Sequence, residues 1–410
     1  MARQGQVRGK TGSRGLGFRR LTPHPALRAT LSPRCGERGN DISSRLRCFR
    51  MASAAIVLKR GHATHRLSRM TAITAKTRVV TGIAPDAIPY DQLLADQAPV
   101  ILKGVARDWP LIQAGLRSPA AAMDELKRFY QGRPVTVFTG EPSGRFFYND
   151  DVSGFNFTGG RAPLGEVLDT ILANAATPDA PSFYIGSTDL DLFLPGLRGE
   201  NEVVLNHDMF VRNPPLASIW IGNRTTATAH YDMSHNMAVC VAGRRRFTLF
   251  PPDQIGNLYP GPLEPTPGGQ VISMVNFAAP EYDRYPRFAE AEKAGQIADL
   301  EPGDLLFYPA MWWHHVDALE PFNILINYWW NTVPGFMDTP QNTLLHAMLS
   351  LRDRPDSEKA AWKSVFDYYV FGPAGHAAEH LPEHAQGNLG PMDEMKARRL
   401  RATLLNRFNR

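Results

Sequence analysis

His230, Tyr231 and Asp232 form a His-x-Asp triplet, and far along the chain a histidine pair, His314-His315, follows Trp312-Trp313. In an extended strand alternate side chains share a face, so His230 and Asp232 stand side by side while Tyr231 points away. A third ligand from a distant strand would complete one face of a coordination sphere. Two imidazoles and one carboxylate, with three positions left open, is the arrangement that lets non-haem Fe(II) take up a co-substrate and O2. His314 and His315 compete for the third place, because neighbours in a strand point to opposite faces. A bare His-x-Asp triplet is weak, since most such triplets are solvated loop residues. The surrounding elements must carry the argument.

Those elements read as short strands. Ile219 to Asn223, Ala238 to Val241 and Arg246 to Phe250 are apolar runs that flank the triplet. In the second half Gly303-Asp304 reads as a turn, Leu305 to Tyr308 as a strand, and Asn323 to Trp330 as another, rich in β-branched and aromatic side chains. Short strands separated by Gly and Pro turns predict a mainly β fold, an antiparallel barrel or sandwich whose mouth holds a small ligand.

Several separated motifs occur in a recognisable order: Ala229-His230-Tyr231-Asp232 through Asn236, Gly243 through Pro252, Gly303-Asp304-Leu305-Leu306-Phe307-Tyr308-Pro309, and Trp312-Trp313-His314-His315-Val316. Together with Pro99 to Gly104 and Trp109-Pro110, they resemble the cupin-like branch of the JmjC oxygenases, whose best-known relative is the asparaginyl hydroxylase of hypoxia-inducible factor. The resemblance runs from about Pro85 to Pro334. It implies a double-stranded β-helix of the cupin or jelly-roll type with flanking helices, Fe(II), 2-oxoglutarate and O2, and hydroxylation of a protein or small-molecule C–H bond. It also selects His314 as the third metal ligand beside His230 and Asp232, leaving His315 as a packing residue.

A bound 2-oxoglutarate needs its far carboxylate paired once that group leaves water. Arg244, Arg245 and Arg246 stand in a row, and strand phase separates them. Arg245 shares a face with Phe247 and Leu249, the expected barrel interior, whereas Arg244 and Arg246 share the other face with Thr248. Arg245 is therefore the expected carboxylate anchor. It matches the family's position for that role, where the hypoxia-pathway relative has lysine; the arginine fork suits bidentate pairing. The resemblance further implies that Tyr184 gives a hydroxyl to the same carboxylate, that Asn236 and Asn327 line the iron-proximal pocket, and that Trp329 borders the substrate. Ala238 stands where that relative has a bulky aromatic, which points to a wider pocket and separates this chain from asparaginyl specificity. The other aromatics nearby, Trp312, Trp313, Tyr328 and Trp330, read as packing.

The remaining histidines have plainer readings. His235 is out of phase with His230, Asp232 and Asn236 and should face outward, while His207 is structural or lines the entrance. His346, His376, His380 and His384 lack companions at metal-ligand spacing.

Charge divides the chain. Residues 1–75 carry 16 Lys and Arg against 2 Asp and Glu, leaving 29 and 38 in the rest, a balance of −9. The basic character belongs to a tail that lacks the apolar periodicity needed to fold. Three readings compete for it: a mis-called start, with Met51 or Met70 the true beginning; an Arg-rich organellar transit segment; or a disordered nucleic-acid tether. The acidic remainder argues against a nucleic-acid face outside the tail. No apolar run approaches the ~20 residues needed to span a bilayer, and the Ile56-Val57-Leu58 run is too short for a signal-peptide core. Cys35, Cys48 and Cys240 form no even framework, which fits a reducing compartment. The expected location is cytoplasmic, or organellar if residues 1–69 are a transit segment.

The division expected is a tail at 1–75, a barrel domain at 76–335 and a helical region at 336–410. Helices are predicted at Thr343 to Leu351, Ser357 to Phe371 and Pro391 to Phe408, the last starting with Pro391 in its first turn ahead of Asp393 and Glu394. In relatives such C-terminal helices commonly form a homodimer interface, and simple packing on the barrel is the alternative. The reading is thus an Fe(II)- and 2-oxoglutarate-dependent hydroxylase acting on a protein or small molecule. A lysine demethylase, which would normally carry chromatin-reader domains, and an inactive metal-binding scaffold are the rivals.

Overall fold

The structure, a computed structural model, describes residues 72–409. The basic segment with Cys35, Cys48, Met51 and Met70 lies outside the described residues. The strands are β1 (Arg78–Val80), β2 (Val100–Leu102), β3 (Val135–Gly140), β4 (Arg145–Phe146), β5 (Thr158–Ala162), β6 (Ser182–Asp189), β7 (Leu216–Gly222), β8 (Thr226–Tyr231), β9 (His235–Ala242), β10 (Arg245–Phe250), β11 (Gln296–Leu300), β12 (Leu305–Tyr308), β13 (Trp313–Ala318) and β14 (Asn323–Trp330). They form two sheets, ordered β1-β2-β12-β9-β14-β7-β6-β3-β5 and β11-β10-β13-β8-β4. Strands β7 to β14 supply four neighbours to each sheet, so the chain winds between two facing layers as a double-stranded β-helix, a jelly-roll. The pairs within it are antiparallel, whereas β1 joins β2 and β4 joins β8 in parallel at the sheet edges.

Alternation along each strand separates two apolar environments. On β9 the side chains of Met237, Val239 and Val241 pack in an outer core, while Ala238 and Cys240 pack inside the barrel. On β12 Leu305 and Phe307 go outward, Leu306 and Tyr308 inward. On β14 Ile324, Ile326, Tyr328 and Trp330 belong to the outer core and Leu325 to the inner one. These strands read as continuous apolar runs because both faces are covered. The outer cover comes from the chain before β7, notably the helices Pro110–Arg117, Pro119–Phe129 and Leu164–Ala173, whose Leu111, Ile112, Leu126, Leu168 and Ile171 are fully buried. Pro110 and Pro119 sit in the first turns of their helices, where the missing N–H is no loss. The second sheet is covered by the segment between β10 and β11, with Leu258, Val275, Phe277 and Phe288 in a separate core.

Two glycines set the strand connections. Gly243 between β9 and β10 has φ +70°, and a Cβ there would lie 2.3 Å from the Asn323 side-chain oxygen and 2.6 Å from the Phe322 carbonyl oxygen. Gly303 before β12 has φ +98°, with a Cβ position 2.9 Å from Arg107 Cα. Asp304, 1% exposed, ties this turn to β2 by accepting from the backbone of Gly104 and the ammonium of Lys103.

The C-terminal helices differ in their limits from the sequence expectation. They run Pro340–Leu351, Asp356–Phe366 and Glu394–Phe408. The first begins three residues early because Thr339 caps it and Pro340 occupies the first turn. The second gives way to a π-helical turn at Asp367–Phe371. Pro391 lies outside the third, whose cap is Asp393, accepting from the Lys396 N–H at 2.7 Å; an aspartate cap satisfies an orphan donor that proline at Pro391 cannot reach.

Gly243→Ala is expected to destabilise the protein by at least ~2 kcal/mol, combining left-handed strain with a backbone clash. Denaturant titration checks this, and an unchanged midpoint would mean the β9–β10 turn is not held as described.

Candidate metal centre

Strands β8 and β13 pair antiparallel with His230 directly opposite His314. Directly opposed residues project on the same face, and the two rings lie 4.2 Å apart between centroids. Asp232 follows just past the end of β8, and its backbone carbonyl is held by the Met311 N–H at 2.8 Å. One ligand atom from each of His230, Asp232 and His314 lies within 4.8 Å of the others, the one such group among the described residues. Tyr231 points away and packs on Trp313 at 4.9 Å.

Each histidine is fixed by its own strand. Nδ1 of His230 is 2.8 Å from the Thr228 carbonyl oxygen, and Nδ1 of His314 is 3.0 Å from that of Trp312. A carbonyl only accepts, so Nδ1 carries the hydrogen and donates, which leaves the Nε2 lone pair for the centre. Burial, then His230, push the His314 imidazole down to about 4, with Asp232 acting in the opposite direction. The ring is therefore neutral at physiological pH, the form that binds metal.

The carboxylate is held by a chain of donors that crosses the barrel. Asp232 Oδ2 accepts from Trp329 Nε1 at 3.0 Å and from Asn236 Nδ2 at 3.1 Å. Asn236 Oδ1 accepts from Asn327 Nδ2 at 3.0 Å, and Asn327 Oδ1 from Trp220 Nε1 at 2.7 Å. Asn236 and Asn327 thus line the interior, and one amide donor of each is engaged in orienting Asp232. Such outer partners fix the direction of a ligand carboxylate.

Arg245 enters from the start of β10. It is 3% exposed, and its Nε and Nη2 have no hydrogen-bond partner. Phe247 and Leu249 on the same face lie in the inner core, whereas Arg244 and Arg246 point out and pair with Glu320 and Asp299, each at 2.7 Å. Burial pushes the Arg245 guanidinium down from its ordinary range. Tyr184 on β6 stacks on Trp220 at 5.8 Å; burial raises its hydroxyl to about 12, with the neighbouring Arg245 charge acting in the opposite direction. A buried guanidinium lacking an anion is costly unless something pairs with it.

Ala238 is fully buried in the inner core, opposite Leu306 and Asn327. Tyr308 went unread in the sequence, although alternation from Leu306 places it inside: its ring lies 4.7 Å from that of His314. His315 stacks on Phe277 at 4.5 Å and faces Asp317 at 3.3 Å, away from the centre. His235 also points away from it, yet not into solvent: it is buried against Phe307 and Trp330 because the outer face of β9 is covered. His207 caps the helix Asp208–Arg212, its Nδ1 accepting from the Met209 N–H. In the C-terminal region His346 packs on Phe408 and His376 meets Glu379.

Two imidazole nitrogens and a carboxylate, converging from β13, β8 and the residue just past β8, fit a divalent metal, and the partnerless Arg245 fits a dicarboxylate beside it. Residues 85–336 match the cupin-like domain family. HSPB1-associated protein 1 of Rattus norvegicus is 37% identical over 120 residues, 29% of this chain and 24% of that protein. Lysine-specific demethylase JMJ31 of Arabidopsis thaliana is 32% identical over 138 residues, covering 32% and 25%. tRNA wybutosine-synthesizing protein 5 of Mus musculus is 35% identical over 106 residues, covering 26% and 30%. The matched segments thus span only about a quarter to a third of each of these relatives. With the family match extending over more than half of the chain and the jelly-roll in place beneath it, this protein belongs to the cupin-like, JmjC-type domain family.

Proposed function

We propose that the protein is an Fe(II)- and 2-oxoglutarate-dependent oxygenase, acting as a hydroxylase on a protein side chain or small molecule. The observation that carries this reading is Arg245, a buried cation without an anion, inside the same barrel as three convergent metal donors. His230, Asp232 and His314 hold the metal. Arg245 and Tyr184 pair with the far carboxylate of 2-oxoglutarate, which fills the charge vacancy around the guanidinium. Asn236 and Asn327 keep Asp232 aimed, Trp329 borders the substrate, and the small Ala238 leaves room in the barrel. Bound iron and 2-oxoglutarate supply oxidation of a C–H bond by O2; the protein supplies orientation and a dry chamber. The names of the relatives include a lysine demethylase and a tRNA-modifying protein, and the inner-face residues named here would serve N-methyl oxidation as well as hydroxylation.

Among the described residues no helix is long and apolar enough to cross a membrane. The helices after β14 expose large apolar side chains, among them Leu349 at 83% and Phe371 at 75%. Patches of this kind mark interaction surfaces, and their partner in this reading is a second copy of the chain.

The full-length protein is expected to bind one Fe(II), and Asp232→Ala to lose it, because the only carboxylate of the three donors is gone. Metal analysis after desalting decides this; retention of stoichiometric iron would contradict the ligand assignment. Arg245→Ala should keep iron and weaken 2-oxoglutarate binding by ~2–5 kcal/mol, the range for truncating one member of a buried charge pair. Arg244→Ala and Arg246→Ala should cost only ~0–1 kcal/mol, as exposed pairs do. Anaerobic titration of the Fe(II) protein, followed by its visible charge-transfer band, compares all three; greater sensitivity at Arg244 or Arg246 would refute the interior assignment. For the oligomer, sedimentation equilibrium should give a dimer that Leu349→Asp with Phe371→Asp converts to a monomer, and a monomeric parent protein would refute the pairing.

A further inference from the structure

We propose that the Tyr308 hydroxyl is a third donor to the co-substrate, binding a carboxylate oxygen of 2-oxoglutarate beside Arg245 and Tyr184; this rests on the oxygenase reading above. Tyr308 ends β12 opposite Asn236, and the alternation that sends Leu305 and Phe307 to the outer core turns Leu306 and Tyr308 inward. The residue is 4% exposed. Its ring bridges the two ends of the chamber, lying 4.7 Å from the His314 ring at the metal end and 6.1 Å from the ring of Phe247, which shares a face with Arg245. Burial lifts the phenol well above its ordinary range, and the Asp232 carboxylate and the Tyr184 hydroxyl push it the same way.

The Tyr308 hydroxyl has no hydrogen-bond partner among the described residues. Asp232 is close enough to be felt but spends Oδ2 on Trp329 and Asn236. Leu306, two residues earlier on the same face, shows that an aliphatic side chain fits this core, so packing alone does not call for a hydroxyl here. The hydroxyl gains a partner when an anionic ligand enters between Arg245 and the metal donors. Three donors from β6, β10 and β12 then surround one dicarboxylate, and the chamber selects for it over ligands lacking an acceptor there.

Tyr308→Phe removes the hydroxyl and keeps the ring contacts. Calorimetric titration of 2-oxoglutarate into the full-length protein loaded with Mn(II), which binds without turnover, should show a dissociation constant raised roughly ten- to a hundredfold, the range for hydrogen bonds to charged groups. Mn(II) affinity and the thermal midpoint should stay unchanged. An equal dissociation constant for the two proteins overturns the inference while leaving the oxygenase reading intact. Weaker Mn(II) binding or a lowered midpoint in Tyr308→Phe also overturns it, by making Tyr308 a packing residue of His314. No saturable binding of 2-oxoglutarate to the parent protein would instead reject the oxygenase reading, and this inference with it.

Discussion

The antiparallel register of β8 and β13 is the constraint on which the centre depends. Placing His230 opposite His314 puts two imidazoles on one face without any loop having to find its position. A slip by one residue would bring His315 into that place and send His314 toward Phe277. The register is held from both sides of β13, since its other neighbour, β10, pairs Leu249 with His314 and Arg245 with Ala318. The same ladder therefore sets the metal donors and, four residues along β10, the buried guanidinium.

Burial then gives those groups their chemistry. In water Arg245 would be an ordinary solvated cation; inside the barrel it has lost water and gained no counter-charge. The His314 imidazole has lost water as well, and burial keeps it neutral. The Trp220-Asn327-Asn236-Asp232 chain works the other way, spending polar groups on one another so that the single carboxylate keeps its aim. A charged site lacking a ligand and a saturated network beside it are the two conditions under which a barrel interior both binds an anion and positions a metal.

Much of this arrangement was legible because strand periodicity is a short-range signal. The phases of Arg245, Asn236 and Asn327 follow from counting in twos from their neighbours, and the strands Leu305–Tyr308 and Asn323–Trp330 coincide with the apolar runs that announce them. Tyr308 obeys the same count, and alternation from Leu306 turns it inward. His235 was expected to face outward, and alternation alone does not say whether that means solvent; Phe307 of β12 and Trp330 of β14, both distant in sequence, cover it. The layer before β7 and the segment covering β13 were not legible, since short helices and three-residue strands derive their conformation from packing that local pattern does not reveal. Pro391 shows the converse error, a good local signal displaced by the stronger Asp393 cap.

The most direct test of the account is turnover of 2-oxoglutarate itself. The full-length protein, incubated with Fe(II), ascorbate, O2 and 2-oxoglutarate, is predicted to release succinate at a slow rate without added substrate and to stop when iron is chelated. A protein that binds both iron and 2-oxoglutarate yet forms no succinate, alone or with extracts as a source of substrate, would contradict it and leave a metal-binding scaffold in its place.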